Sequence, residues 1–195
     1  MPHRQCRFLF LPAGGLPARI VNQHPDQDVL SDLLGGALPV PVDLGKPSLA
    51  MWVRETSGTE GLDRNVAASI LAMGLDADPL VLLGPVALTS LVWLHSADGA
   101  VEGIAEGLVP PSASDMLALV HRDIQRALAG QDSGFEATLR DDWAPRIRAA
   151  EAALRELPIP DSYPYGDRLV RDDPVWGRLA ESLGGGRAYR PLMPG

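Results

Sequence analysis

The amino-acid sequence predicts an α+β fold in which a small, mostly antiparallel sheet with two short helices is followed by an all-α C-terminal half packed on it. Three observations lead there. Strand-like apolar runs mix with only two short helical patterns over residues 1–95, the arrangement of a sheet with helices laid on it. From Ser112 onward the apolar residues recur at helical spacing, near one every 3.6 residues. With 46% hydrophobic residues among 195, the chain can fill a real core.

Arg7 to Pro12 reads as a first strand, Gly14-Gly15 as a turn and Ala18 to Asn22 as a second strand, close enough in sequence for a hairpin. Asp26 or Asp28 can cap a helix carrying Val29, Leu30, Leu33 and Leu34, with Gly35-Gly36 at its end. Pro39 and Pro41 fall within Leu38 to Leu44; because proline has no N–H for a ladder, this segment suits a sheet edge. Leu49 to Glu55 is the next strand, and a short helix starts at Asn65. Leu80 to Ser90 closes the sheet, its Gly84-Pro85 break reading as a bulge or an edge position.

The α+β domain thus spans residues 1–95, and residues 96–111 form a connecting loop to a helical region at 112–183, with 184–195 a tail. Ser112 to Ala129 carries Met116, Leu117, Val120, Ile124, Ala127 and Leu128 on one helical face, with a capping-box-like start in Ser112 and Asp115 and a stop at Gly130. Phe135 to Leu157 is also helical in period, but Pro145 divides it, so Asp141 or Asp142 caps a separate later helix. After a turn from Pro158 to Pro164, Asp173-Pro174 opens a last short helix bearing Val175, Trp176, Leu179 and Leu183, closed by Gly184-Gly185-Gly186. The apolar face of the Ser112 helix predicts that the two halves form one cooperative unit.

Composition narrows the classes of function. The formal net charge is -8, negative in both halves, which lacks the basic footprint of a nonspecific nucleic-acid binder. Cys6 is the only cysteine, so no internal disulfide forms, and no apolar run approaches the roughly 20 residues that span a bilayer. The N-terminal apolar run, Phe8 to Leu11, is too short for a signal peptide, and a soluble cytoplasmic protein is expected.

Taken in order, Arg7-Phe-Leu-Phe-Leu-Pro12, Leu33-Leu-Gly-Gly36, Trp52-Val-Arg-Glu55, Leu62-Asp-Arg-Asn65 with Ala67-Ala68, and Leu80-Val-Leu-Leu-Gly-Pro-Val86 form a series of short structural motifs. In this series the chain resembles the family catalogued as domain of unknown function 3846, found in accessory proteins of phages, plasmids and related actinobacterial elements. The resemblance covers residues 5–92, implies an opening strand hairpin and a closing valine-rich strand, and carries no activity with it. Pro39 and Pro41, and the longer connection from Met73 to Asp78, depart from the family's pattern. The helical half resembles no family that could be named.

Chemistry-bearing residues occur without an assembled set. His95-Ser96-Ala97-Asp98 holds the residue types of a serine triad, but adjacent positions do not turn toward one another, and a turn with Asp98-Gly99 at its tip is the reading adopted. His24, Asp26 and Asp28, with His3 and Cys6, give two or three metal-ligand types without a second cluster. Asp141-Asp142 and Asp172-Asp173 stand before helix starts, where carboxylates cap exposed N–H groups. His121 lies mid-helix and reads as a partly exposed side chain. No metal or cofactor is expected.

The expected function is that of a non-catalytic accessory protein acting through a protein partner, with Tyr163 and Tyr165 in their proline-rich loop as candidate anchors. The alternative is a binder or enzyme for a small anionic ligand such as a nucleotide, held where the helical half meets the sheet by Arg54, Arg64 and His95.

Overall fold

The structure is a computed structural model that describes residues 6–44, 48–55, 61–75, 81–95, 101–131 and 143–156. Six strands form one sheet: β1 (Phe8–Leu11), β2 (Arg19–Val21), β3 (Pro39–Asp43), β4 (Leu49–Arg54), β5 (Val86–His95) and β6 (Val101–Glu106). Five of them lie in the order β2-β1-β5-β4-β3, and β6 pairs with β5. Every pairing is antiparallel. Four helices complete the described chain: α1 (Gln27–Leu33), α2 (Val66–Gly74), α3 (Ser112–Leu128) and α4 (Trp143–Glu156).

Alternation along the strands splits the buried residues between two faces. Leu9, Leu11, Met51, Val53, Val86 and Leu88 point to one face and share a core with α2, α3 and α4. Phe8, Ala50, Trp52, Ala87 and Leu91 point to the other, where Leu30 of α1 and Leu34 just after it pack on them. Trp52 keeps its indole N–H satisfied by donating to Thr89 Oγ1 at 2.8 Å. The sequence is therefore read by the fold as a sheet covered on both sides, with the larger helical layer on one of them.

Local signals account for most element ends. Asp26 caps α1, its Oδ1 accepting from Val29 N at 2.9 Å, and Gly35 and Gly36 end it at φ +86° and +82°. Asn65 caps α2 by accepting from Ala68 N. α4 carries Pro145 in its first turn, where a missing N–H is not needed; the expected division of the stretch into two helices falls on residues 132–142, which, with Asp141 and Asp142, lie outside the described residues. The capping box expected at Ser112 and Asp115 is absent: Pro111 precedes α3 without a side-chain cap, and Asp115 instead takes both guanidinium nitrogens of Arg7, each at 3.0 Å.

Two expectations about the sheet are corrected. The closing strand begins at Val86 instead of Leu80, because Gly84 turns the chain at φ +68° and the Leu83–Arg64 pairing before it is an isolated bridge. It is also a central strand, running on to His95. Residues 96–111, read as a connecting loop, contain β6, which pairs from Ser90↔Glu106 to His95↔Val101. The segment Val101-Glu-Gly-Ile-Ala-Glu106 has little strand character of its own; a strand laid against a formed neighbour takes its conformation from the ladder.

β1 and β6 lie end to end along one edge of β5. β1 pairs with Val86 to Leu88 and β6 with Ser90 to His95, and Leu108 N donates to Arg7 O at 2.7 Å where the two meet. At that junction a Cβ on Gly107 would stand 2.6 Å from Cys6 Sγ and 3.0 Å from Arg7 N, so the backbone approach requires glycine.

Candidate functional site

Arg54, Arg64 and His95 are held by three different parts of the fold. Arg54 ends β4 opposite Pro39 and shares the α1 face with Ala50 and Trp52; its guanidinium lies beside the Gly35 turn, and its Nε is buried without a hydrogen-bond partner. Arg64 bridges Leu83, and its Nη1 donates to Leu154 O near the end of α4, on the other side of the sheet. Burial, with Arg155 nearby, lowers the pKa of the Arg64 guanidinium. His95 is the last residue of β5 and pairs with Val101.

The register separates them. Trp52 pairs with Ala87, which sets Arg54 level with Pro85, and His95 then lies at the far end of β5, about 30 Å away at ~3.3 Å per residue. The three residues do not line one pocket. Tyr163 and Tyr165, and the pair Asp172-Asp173, lie outside the described residues. Of the metal-type cluster, Asp26 is used as a helix cap and His24 Nε2 stands 3.6 Å from Glu106 Oε2. Among the described residues no group of three His, Cys, Asp or Glu side chains could hold a metal ion.

Val92, in the outer half of β5, is the most exposed large apolar side chain of the described strands. Leu91 N donates to Ser48 O, and beyond it, among the described residues, β5 pairs with β6 alone. Val86 and Leu88 on the helix-covered face are 0% exposed, yet Val92 on the same face is 43% exposed and its partner Ile104 is half-buried. Among the described residues, β5 and β6 thus form a two-stranded arm beyond the sheet's described helices. Its root is fixed by the Gly107 contact with Cys6, by Leu108 N on Arg7 O and by the Arg7–Asp115 ion pair. Burial raises the pKa of the Cys6 thiol, opposed by a backbone hydrogen bond from Gly107 and aided by Glu106, so this cysteine is not an activated thiolate.

Three of the buried polar residues bear on how the site is held. Asn65 Nδ2 donates to the carbonyls of Leu11, Pro12 and Gly84 at 3.1, 3.3 and 2.9 Å while its Oδ1 caps α2, tying β1, the Gly84 turn and the helix together. His121, read from sequence as partly exposed, is instead 0% exposed, and neither ring nitrogen has a hydrogen-bond partner; burial lowers its pKa to about 4. Asp123 is 2% exposed, its Oδ1 lacks a hydrogen bond and stands 3.9 Å from Arg122 Nε, and burial raises its pKa against the pull of Arg122 and Arg126. The signal for His121 was available, since positions 117, 121 and 124 share one helical face; the polarity of the side chain concealed it.

No protein-family model matches the chain, and no match was found among curated proteins or solved structures. No helix among the described residues is long and apolar enough to cross a membrane.

Proposed function

We propose that the protein is a non-catalytic accessory protein of a phage or plasmid, cytoplasmic in location, that works by binding another protein, a host factor being the leading candidate. The observation that carries this reading is the β5–β6 arm, where Val92 is 43% exposed on a strand whose inner residues are fully buried. A ribbon that exposes Val92 and whose outer edges pair with no other described strand suits a partner segment that adds backbone hydrogen bonds along the edge and covers Val92. Tyr163 and Tyr165 are the second proposed anchors, and the phage or plasmid setting is proposed on the series of short motifs from Arg7 to Val86 alone. The reading also takes residues 157–183 as a continuation of the helical half, on the spacing of Val175, Trp176, Leu179 and Leu183.

The test is capture from a host lysate with the wild-type protein and with Val92→Asp, the two first shown to have equal melting temperatures. A partner retained by the wild type and lost by the variant supports the arm as the binding surface. No specific partner, or equal capture by both, counts against it.

A second reading, binding of a small anionic ligand such as a nucleotide, keeps one observation in its favour: the buried and unpartnered Nε of Arg54. Thermal-shift measurements with nucleotides address it, since a ligand bound only by the native state raises the melting temperature. A shift abolished by Arg54→Met supports this reading, and no shift at saturation removes it for the nucleotides tried.

A further inference from the structure

We propose that α3 is an acid-released layer of this fold: protonation of His121 at its centre undocks the helix from the sheet and uncovers the apolar face that Leu9 and Leu11 present to it. His121 lies one turn before Gln125, whose Nε2 donates to Leu16 O in the β1–β2 connection, and one turn after Leu117, a core residue. It therefore occupies the flank of α3 turned toward the β1–β2 hairpin. Asp123, two residues on, points about 200° away around the helix and does not reach it.

Among the described residues, nothing on the packed elements stands ready to hold a proton on that ring. Within α3, Asp115 is taken by Arg7, and Arg122 is exposed. β1 carries no titratable residue between Phe8 and Leu11, and α2 carries none between Val66 and Gly74. Arg19 of β2 lies over the Phe10 ring, on the opposite face of the sheet. On α4, Glu151 is paired with Arg155, while Arg148 and Glu156 are exposed. A charged imidazole in this setting gains neither a hydrogen bond nor a counter-ion from the described residues, whereas in the undocked helix water hydrates the charge and accepts its hydrogen bonds.

The direction follows from linkage. His121 titrates near 4 when docked and near 6.5 when exposed, so the undocked state binds the proton more readily. Release is then favoured as pH falls from about 6.5 and levels off below about 4. Asp123 works in the other direction, because burial raises its pKa in the docked helix and proton uptake there favours docking.

Amide hydrogen exchange of the full-length protein between pH 7 and pH 4, corrected for intrinsic rates, tests this. The α3 amides are expected to lose protection on the order of a hundredfold, given ~2.5 units of difference between the docked and exposed imidazole, while β4 and β5 stay protected. His121→Leu flattens the response and Asp123→Asn enlarges it. Unchanged α3 protection at pH 4, or simultaneous loss in α3 and β4–β5, overturns the proposal. Should neither variant fold, an NMR titration of the wild-type histidines decides: an imidazole titrating well below 6 as α3 opens supports it, and ordinary titration of all of them overturns it.

Discussion

At the scale of single residues, Asn65 shows how one side chain can replace several backbone partners. Its amide serves three carbonyls that come from two distant parts of the chain, and its carbonyl oxygen serves the first turn of α2. Asn65→Asp keeps the cap and the shape but turns the donor into a second acceptor facing those carbonyls, so a loss of about 3 kcal/mol or more is expected in urea unfolding. Asn65→Ser, which keeps a cap acceptor without the long-range donor, should lie between the two. The capping role was legible in the sequence, because asparagine before an apolar helical run has a local cause. The bracing role was not, since Leu11 and Gly84 meet Asn65 only through the fold. His121 and Asp123 were hidden for a related reason: both sit at helical positions that the fold buries, and their polarity argued for solvent.

At the scale of elements, β3 was placed at an edge from its prolines alone, and the register supplies the detail. Glu55 N donates to Leu38 O at 2.8 Å, so the pairs alternate from there and Pro39↔Arg54 and Pro41↔Trp52 fall at the positions whose backbone groups point away from β4. The prolines therefore sacrifice nothing in the sheet and remove two donors from its outer edge. Replacing both, Pro39→Thr with Pro41→Thr, should leave the melting temperature within a few degrees and produce concentration-dependent self-association in sedimentation velocity. A strictly monomeric double variant would show that other features protect this edge. β6 was missed because its residues carry two glutamates and a glycine in six positions; its strand conformation comes from β5, a neighbour that no local pattern names.

At the scale of the whole molecule, the described part of the helical half shares one core with the sheet: Leu117, Ile124 and Ala127 of α3 and Ile147, Ala150 and Leu154 of α4 join Leu9, Leu11 and Leu88. Burying a leucine-sized side chain is worth about 2 kcal/mol before entropy, so removal of both helices leaves more exposed apolar surface than the sheet can tolerate. A fragment ending at Asp98, which also lacks β6, is expected to aggregate or to show no cooperative melt by circular dichroism. A soluble fragment with a sharp transition would establish the sheet as self-sufficient. The mixed α+β class and the antiparallel sheet were legible because strand and helix periods differ; the sharing of a core between the halves was legible only as an apolar face in need of cover. The shared edge of β5 carries a consequence for synthesis. Apart from its local hairpin partner β2, β1 finds its neighbour only when Leu88 arrives to pair with Leu9, and its end is secured only when Leu108 reaches Arg7. Long-range closure of this kind slows folding, so the N-terminal hairpin of a nascent chain stays open, with Phe8 and Leu9 unshielded, until the ribosome has delivered more than half the protein.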